Sequence, residues 1–449
     1  KILGGWLVAL RIAGRYLHST GEPATDYLRW LKKRPFGKLR AGGKHQKDNA
    51  AVLLERSVEQ VSADAVAVLR LAGVLAFAPI SLMSVMFVLY EEGEDEEELE
   101  LRSMEAVNEL VNYGLLERRD KGLHIGHALI HEYAAGQLGL GKEELKRVAE
   151  YYIAWCREQS AAGVPGYARL DGERVHCLRL IAACLDRELW EEVKLLVLAI
   201  DTYLDRQGWW TERLAAWEML LTAVRKAGDR KDEGVCLNNL GYTCERRGER
   251  DQALNWYEQS LPIHREIGNR REEGNTLNNM AVIYWHQDRY DEALKQYKQS
   301  LSIYREGGDR KGEGTTLNNI GMLYYNQNDY EKALQYYEQC LPIRQEAGDK
   351  IGVGQTLNNI AMIYHAQGKY SKAIDYYEQA LEIGRELGDR AGQAQSYKNI
   401  GFTYYSMGDL AQAEEHIRLA VEIAEAIGHP SLEQWRDGLA DTQAKRRGA

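Results

Sequence analysis

The side chains best suited to recognition chemistry recur every forty residues. Asn239, Asn279, Asn319, Asn359 and Asn399 form one row, and Asn238, Asn278, Asn318, Asn358 and Lys398 run beside it. A carboxamide offers both a donor and an acceptor. A row of them can therefore bond the backbone of an extended peptide regardless of its side chains. Trp285, Tyr325, His365 and Tyr405 share the period and would line the same groove with rings, the residue types that anchor interfaces. The same amides can instead cap or bridge neighbouring helices and only maintain the framework. The spacing fits both readings.

Other constellations carry less chemistry. His127 and His131 stand at i and i+4, with His124 and Glu132 close by, a spacing that can hold zinc. No Glu follows the first His as a zincin requires, and no Cys lies near. An amphipathic helix facing its own domain explains these histidines equally well. Residues 37–45 approach a phosphate-binding loop, but the Gly spacing is wrong and His45 stands where magnesium needs a hydroxyl. No G-x-x-x-x-G-K-S/T occurs, and no Ser-His-Asp or Cys-His arrangement rises above chance. The chain is read as a non-enzyme without a cofactor of its own.

The elements that position the asparagine rows follow from apolar periodicity. Leu317, Ile320, Gly321 and Tyr324 fall at i, i+3, i+4 and i+7, one face of a helix. Residues 326–329 break the pattern as a turn should, and Ala333, Tyr337, Cys340 and Leu341 form the face of a second helix. Small residues recur where two helices must approach: Gly241, Ala281, Gly321, Ala361 and Gly401 on the first, Ala253, Ala293, Ala333, Ala373 and Ala413 on the second. Gly268, Gly308, Gly348, Gly388 and Gly428 stand where a left-handed cap would end each second helix. Pro262 and Pro342 fall inside second helices and are expected to bend them.

Five such blocks, the first starting at Leu237, resemble the tetratricopeptide repeat family, with a period like that of kinesin light chains and cell-polarity adaptors. The resemblance implies a mostly α fold, a right-handed α-solenoid whose first helices line a concave face that takes a protein or peptide ligand. Stepping back by forty, Trp217, Leu221 and Gly228 match Tyr257, Leu261 and Gly268. A degenerate repeat is therefore expected before the five clear ones, with the array spanning 195–432 and a charged cap or tail over 433–449. Relatives that grip a terminal carboxylate do so with lysines. Here those positions are Asn in four of five repeats, with Lys398 the exception, which argues against such a clamp.

Composition supports this reading. The 449 residues suffice for two or more units, and 27 Tyr against four Phe and seven Pro suit helical ridges built on tyrosine. A net charge of -10 argues against a nucleic-acid footprint, which needs concentrated positive charge. Six cysteines without CxxC spacing read as reduced thiols of a cytoplasmic protein. Residues 71–90 carry no charge over twenty positions, enough to cross a bilayer. Pro79, Ser81 and Ser84 divide the stretch, so two buried helices are expected rather than a membrane span. The acidic run 91–100 is expected to be a solvated loop and a helix start.

Before the repeats, residues 104–113 are expected to be a helix, 115–118 and 123–125 short strands about the turn at 120–122, and 127–138 a further helix. Helices followed by a small hairpin make a winged-helix-like domain over 51–140, with a helical connector over 141–194. In that order the segments resemble the regulatory end of NB-ARC signalling NTPases, the STAND group. Gly4, Gly5, Ala9 and Leu10 match the stretch that opens that family's helical subdomain, with Leu7 in place of its proline, so 1–50 is expected to hold a remnant of it and a basic linker (Lys32 to Lys47). His127 matches the histidine of the M-H-D motif, which in the family reaches the ADP phosphates, although Gly126 and Ala128 replace its neighbours. The resemblance implies a sensor arm of a switch whose nucleotide-binding domain, with its ADP or ATP, lies upstream of Lys1. The alternatives are a free-standing scaffold for protein complexes and a winged-helix regulator that binds DNA.

Overall fold

The computed structural model of the chain describes residues 12–26, 54–76, 78–90, 93–119, 122–125, 127–426 and 431–448. The stretch containing Gly4 to Leu10, the basic run 32–47 with its phosphate-loop approach, Gly126 and Gly428 lie outside them. The chain forms two compact units, Lys1–Asp229 and Arg230–Ala449.

The first unit begins with helical residues 12–20 and 54–58, tied by Arg56, whose Nη2 meets both Glu22 oxygens at 2.6 and 2.7 Å. Three helices follow: α1 (Ala63–Val74), α2 (Leu82–Leu89) and α3 (Glu96–Asn112). Ser62 caps α1 and Ser81 caps α2 through their hydroxyls. The uncharged stretch is thus two short helices, as its Pro and Ser required, and no described helix is long and apolar enough to cross a membrane. The acidic run starts α3, where carboxylates suit the positive end of the helix dipole. β1 (Leu116–Arg119) and β2 (Gly122–Ile125) pair antiparallel with Leu116 opposite Ile125, and Ile80 bridges to Leu123 at the open edge.

The expected helix at 127–138 is α4 (Ala128–Tyr133) followed by a π-turn over residues 134–138. A Cβ on Gly73 would lie 2.5 Å from Ala135 N, so α1 approaches that backbone closely only because residue 73 has no side chain. Four longer helices complete the unit: α5 (Lys142–Ala161), α6 (Val164–Asp186), α7 (Trp190–Gln207) and α8 (Trp210–Ala227). Arg70 joins α1 to α5 through a bidentate pair with Glu144 at 2.8 and 2.7 Å. His176 of α6 is fully buried: Nδ1 accepts from Ala76 N at 3.2 Å and Nε2 donates to Pro79 O at 2.7 Å. One imidazole so pins the link between α1 and α2. The hairpin of α7 and α8, where the degenerate repeat was expected, starts at Trp190 and belongs by its contacts to this first unit.

The second unit is five helical hairpins and a last helix. First helices are α9 (Arg230–Arg246), α11 (Arg270–His286), α13 (Arg310–Asn326), α15 (Lys350–Ala366) and α17 (Arg390–Met407). Second helices are α10 (Arg250–Glu266), α12 (Tyr290–Gly307), α14 (Tyr330–Glu346), α16 (Tyr370–Glu386) and α18 (Leu410–Ala426), and α19 (Leu432–Gly448) packs on α18. Each first helix starts two turns before the Leu-Asn-Asn or Tyr-Lys-Asn of its block. Those turns are polar and capped by Asn269, Asp309, Asp349 and Asp389, so apolar periodicity does not reveal them. The left-handed caps at Gly268, Gly308, Gly348 and Gly388 are present. Asp288 and Asn328 take the same conformation in turns where other repeats use Gly248, Gly368 and Gly408. Pro262 and Pro342 lie inside unbroken helices with exposed rings.

Within each of the first four hairpins a second-helix tyrosine lies on the small residue of the first helix. Tyr257, Tyr297, Tyr337 and Tyr377 are buried, and a Cβ on Gly321 would sit 2.6 Å from the Tyr337 ring. Ala281 and Ala361 occupy the matching place beneath Tyr297 and Tyr377, so a methyl is accommodated once the ring moves a little. We therefore expect Gly321→Ala to be nearly neutral in urea denaturation. Gly321→Leu should lose about 1–3 kcal/mol through overpacking.

Candidate peptide-binding face of the repeats

The first helices form the inner row of the second unit. Each touches the next first helix, α9 to α11 and onward to α17, whereas successive second helices make no contact of that extent. The asparagines sit along this seam. Asn278 Oδ1 accepts from Thr316 Oγ1 at 3.4 Å and from Asn319 Nδ2 at 3.2 Å, and Asn318 Oδ1 accepts from Asn359 Nδ2 at 3.0 Å. Asn238 Oδ1 accepts from Thr276 at 3.3 Å, and Asn358 exchanges bonds with Ser396. Asn239 Nδ2 turns back to Val235 O at 3.0 Å.

What these bonds leave over is ordered. Among the described residues the Nδ2 groups of Asn238, Asn278 and Asn318 have no hydrogen-bond acceptor, and the Oδ1 atoms of Asn319 and Asn359 have no donor. One row thus keeps donors and the adjacent row keeps acceptors, and Asn279 makes no side-chain bond among the described residues. All of these side chains are half-buried rather than sealed. Asn399 departs from the row: it is buried, and its Oδ1 accepts from Gln395 at 3.1 Å.

The aromatic row is half-buried at Trp285, Tyr325, His365 and Tyr405. Trp285 stacks on His286, with ring centroids 4.8 Å apart, and Tyr325 leans on Tyr330 at 5.7 Å. His365 shares a hydrogen bond of 3.0 Å with Thr403 Oγ1, and burial pushes its imidazole down toward the neutral form. Tyr405 is already engaged, donating to Asp441 of α19 at 2.8 Å. Three rings therefore remain open to a ligand.

Sequence reasoning missed two parts of this face. Thr276, Thr316, Thr356 and Ser396 are fully buried, and three of them bond the asparagines, a role their forty-residue spacing could have signalled. Glu245 holds the first place of the aromatic row by the same period. Burial pushes its carboxyl up against the counter-effect of Arg246. At the opposite end burial pushes the Lys398 ammonium down.

His124, His127 and His131 do not gather into a metal-binding group among the described residues. His124 lies on β2 opposite Glu117, and His131 bonds the Leu75 carbonyl at 2.9 Å. His127 stands half-buried just before α4. Among the described residues no group of three or more His, Cys, Asp or Glu is placed to hold a metal ion.

The seam separates two kinds of asparagine. Asn319→Ala should cost about 0.5–1.5 kcal/mol in urea denaturation, because a bond between neighbouring hairpins is lost. Asn279→Ala, which removes no bond, should stay within about 0.5 kcal/mol of the parent. Equal losses would contradict the assignment.

Tetratricopeptide repeat models match residues 235–267, 272–346 and 352–426. No curated protein matches the chain in sequence. Among solved structures, one similar chain is a Signal Transduction ATPase with Numerous Domains protein with a tetratricopeptide repeat sensor from Pyrococcus horikoshii. It is 16% identical with a TM-score of 0.48, over 91% of this chain and 63% of that one. The present chain therefore spans less than two thirds of that structure. Aspartyl phosphate phosphatase F from Bacillus subtilis is 12% identical with a TM-score of 0.46, over 68% of this chain and 95% of that one. BtubC from P. vanneervenii is 20% identical with a TM-score of 0.40, over 56% and 93%. Hairpin geometry, forty-residue period and matched models agree: the hairpins from Arg230 to Ala426 are tetratricopeptide repeats.

Proposed function

We propose that the inner face of the repeats binds an extended segment of a protein or peptide. We propose further that the chain is the sensor arm of a STAND-type signalling NTPase. The observation that carries the first statement is the paired residue of unused groups, amide donors at Asn238, Asn278 and Asn318 beside carbonyl acceptors at Asn319 and Asn359. A peptide backbone presents both kinds of group in alternation, so the two rows suit main-chain recognition. Trp285, Tyr325 and His365 supply anchors for side chains. Glu245 and Lys398, neither in an ion pair among the described residues, favour a cationic group at the α9 end and an anionic one at the α17 end.

The sensor-arm reading rests on the first unit. Three helices, a β-hairpin and the added Ile80–Leu123 bridge support reading this part as a winged helix. His127, the match to the M-H-D histidine, is then the residue to face a nucleotide held upstream. Communication would require two states that the ligand distinguishes. Six buried cysteines without a disulfide suit a reducing, cytoplasmic setting.

For the groove, peptides selected on the purified chain from a displayed dodecamer library serve as probes. Asn279, Asn319 and Asn359 replaced together by Ala should weaken the selected peptides at least tenfold while helical circular dichroism persists. Unchanged affinity would reject the face as the site. For the switch, a Walker A loop after a strand in the coding sequence before Lys1 supports the reading, and an immediate start codon removes it.

A further inference from the structure

The first unit contains a cleft of about 460 Å³ between the start of α2 and facing sides of α5 and α6, independent of the repeat face. α5 contributes three rings to it, Tyr151, Tyr152 and Trp155. Tyr152 forms the corner, with its ring 5.5 Å from Tyr151 at 70° and 6.4 Å from Trp155 at 72°. Tyr152 itself is buried, and Tyr151 also stacks on Phe87. The half-buried Trp155 ring and the open side of Tyr151 are therefore the π surfaces offered to the cleft, and π surfaces attract cations.

Across from them α6 contributes Glu173. Tyr152 donates to Glu173 Oε2 at 2.9 Å, Ser84 Oγ lies 2.8 Å from the Tyr152 hydroxyl, and Ser81 Oγ lies 2.9 Å from Ser84 Oγ. Tyr152 has a single proton and gives it to the carboxylate. Ser84 must then donate to Tyr152, and Ser81 to Ser84. Burial, helped by the charge of Glu173, pushes the Tyr152 phenol well up and keeps that proton in place. The hydroxyl chain runs one way and ends on an anion.

That anion lacks a countercharge. Oε1 of Glu173 has no hydrogen bond, and the side chain makes no ion pair among the described residues. Arg169, the i,i+4 neighbour on the same helix, donates to Gln159 Oε1 at 3.0 Å instead. A carboxylate with an unused oxygen beside aromatic rings is a place for a cation. One carboxylate with two accessible rings suits a weakly hydrated organic cation better than a metal ion, which asks for several hard oxygen ligands.

We propose that this cleft is a binding site for a small organic ammonium compound, held by Glu173 against the Tyr151 and Trp155 rings. Its volume falls within the range of small-molecule sites. The site touches neither the asparagine rows nor His127, so its success or failure says nothing about the repeat groove.

Titration calorimetry of the full chain with choline, putrescine and the neutral choline isostere 3,3-dimethylbutan-1-ol tests it. Saturable binding of at least one cation is expected, with the neutral alcohol at least tenfold weaker. Glu173→Gln should weaken the cation at least tenfold, and Trp155→Leu should weaken choline severalfold, each with the wild-type circular dichroism spectrum. Arg169→Gln should leave the affinity unchanged or tighter, since it removes a like charge. Absence of saturable binding by both cations would overturn the proposal. So would parent-like affinity in a folded Glu173→Gln or Trp155→Leu chain, or binding lost in a folded Arg169→Gln chain, since a cation held by Glu173 does not depend on a guanidinium.

Discussion

The second unit depends on one contact repeated along its length, a second-helix side chain laid on the Gly or Ala of its own first helix. A Cβ at Gly241 would meet the Tyr257 ring at 2.5 Å, and one at Gly321 the Tyr337 ring at 2.6 Å. The small residue fixes how close the two helices come. The tyrosine then reaches the next hairpin: Tyr337 packs with Ile360 and Ile363, and Tyr377 with Ile400. One side chain thus closes a hairpin and joins it to its successor. In the last hairpin Ile417 replaces the tyrosine over Gly401, and Trp435 of α19 joins its cluster. The end of the array is covered by a helix that brings its own aromatic, as a solenoid end requires.

A second layer of joints is ionic. Glu273 is buried at the start of α11 and receives Arg270 of its own helix at 2.5 Å and Arg265 of the preceding hairpin at 2.8 Å. Glu313 receives Arg310 and Arg305 at 2.8 and 2.7 Å in the same way. The fourth hairpin drops the arrangement, with Val353 buried where Glu stood and Gln345 in place of the arginine. The glutamate is buried while its arginines stay half-exposed. Replacing the carboxylate by an apolar residue therefore removes the buried charge, whereas removing the arginines alone would leave it unpaired. The coordinated change of both positions is what that asymmetry demands. Arg344 of the third hairpin, next to Gln345, is buried instead and donates to the Gly352 carbonyl at 2.5 Å.

Much of this architecture was legible because it is periodic. Gly321, Tyr337 and Ala333 announce a packed helix pair by their types and spacing, and Pro79, Ser81 and Ser84 identify a broken apolar run. Less legible were features that carry no apolar signal. The polar turns from Arg310 to Thr316 hide the start of a first helix, and the caps that define it are single Asp or Asn side chains. The π-turn after Tyr133 follows from the close approach of Gly73 to residues 134–135, a tertiary fact that local sequence does not contain. The cleft around Glu173 joins residues about ninety positions apart, Ser84 and Glu173 among them. No periodicity marks it.

The asparagine rows seemed at first to demand a choice between recognition and framework. A carboxamide has two ends, and the seam uses one of them. Asn318 spends its oxygen on Asn359, which holds its amide group in a fixed direction. Asn359 spends its amide on the same bond and keeps its oxygen. Framework bonding therefore orients the groups that a ligand would meet, and a ligand that finds them oriented loses less entropy on binding. Where both ends are spent, as at Asn358 with Gly354 and Ser396, little remains for recognition. The part of the face with the most unused polar groups accordingly lies from Asn278 to Asn319, beside Trp285 and Tyr325.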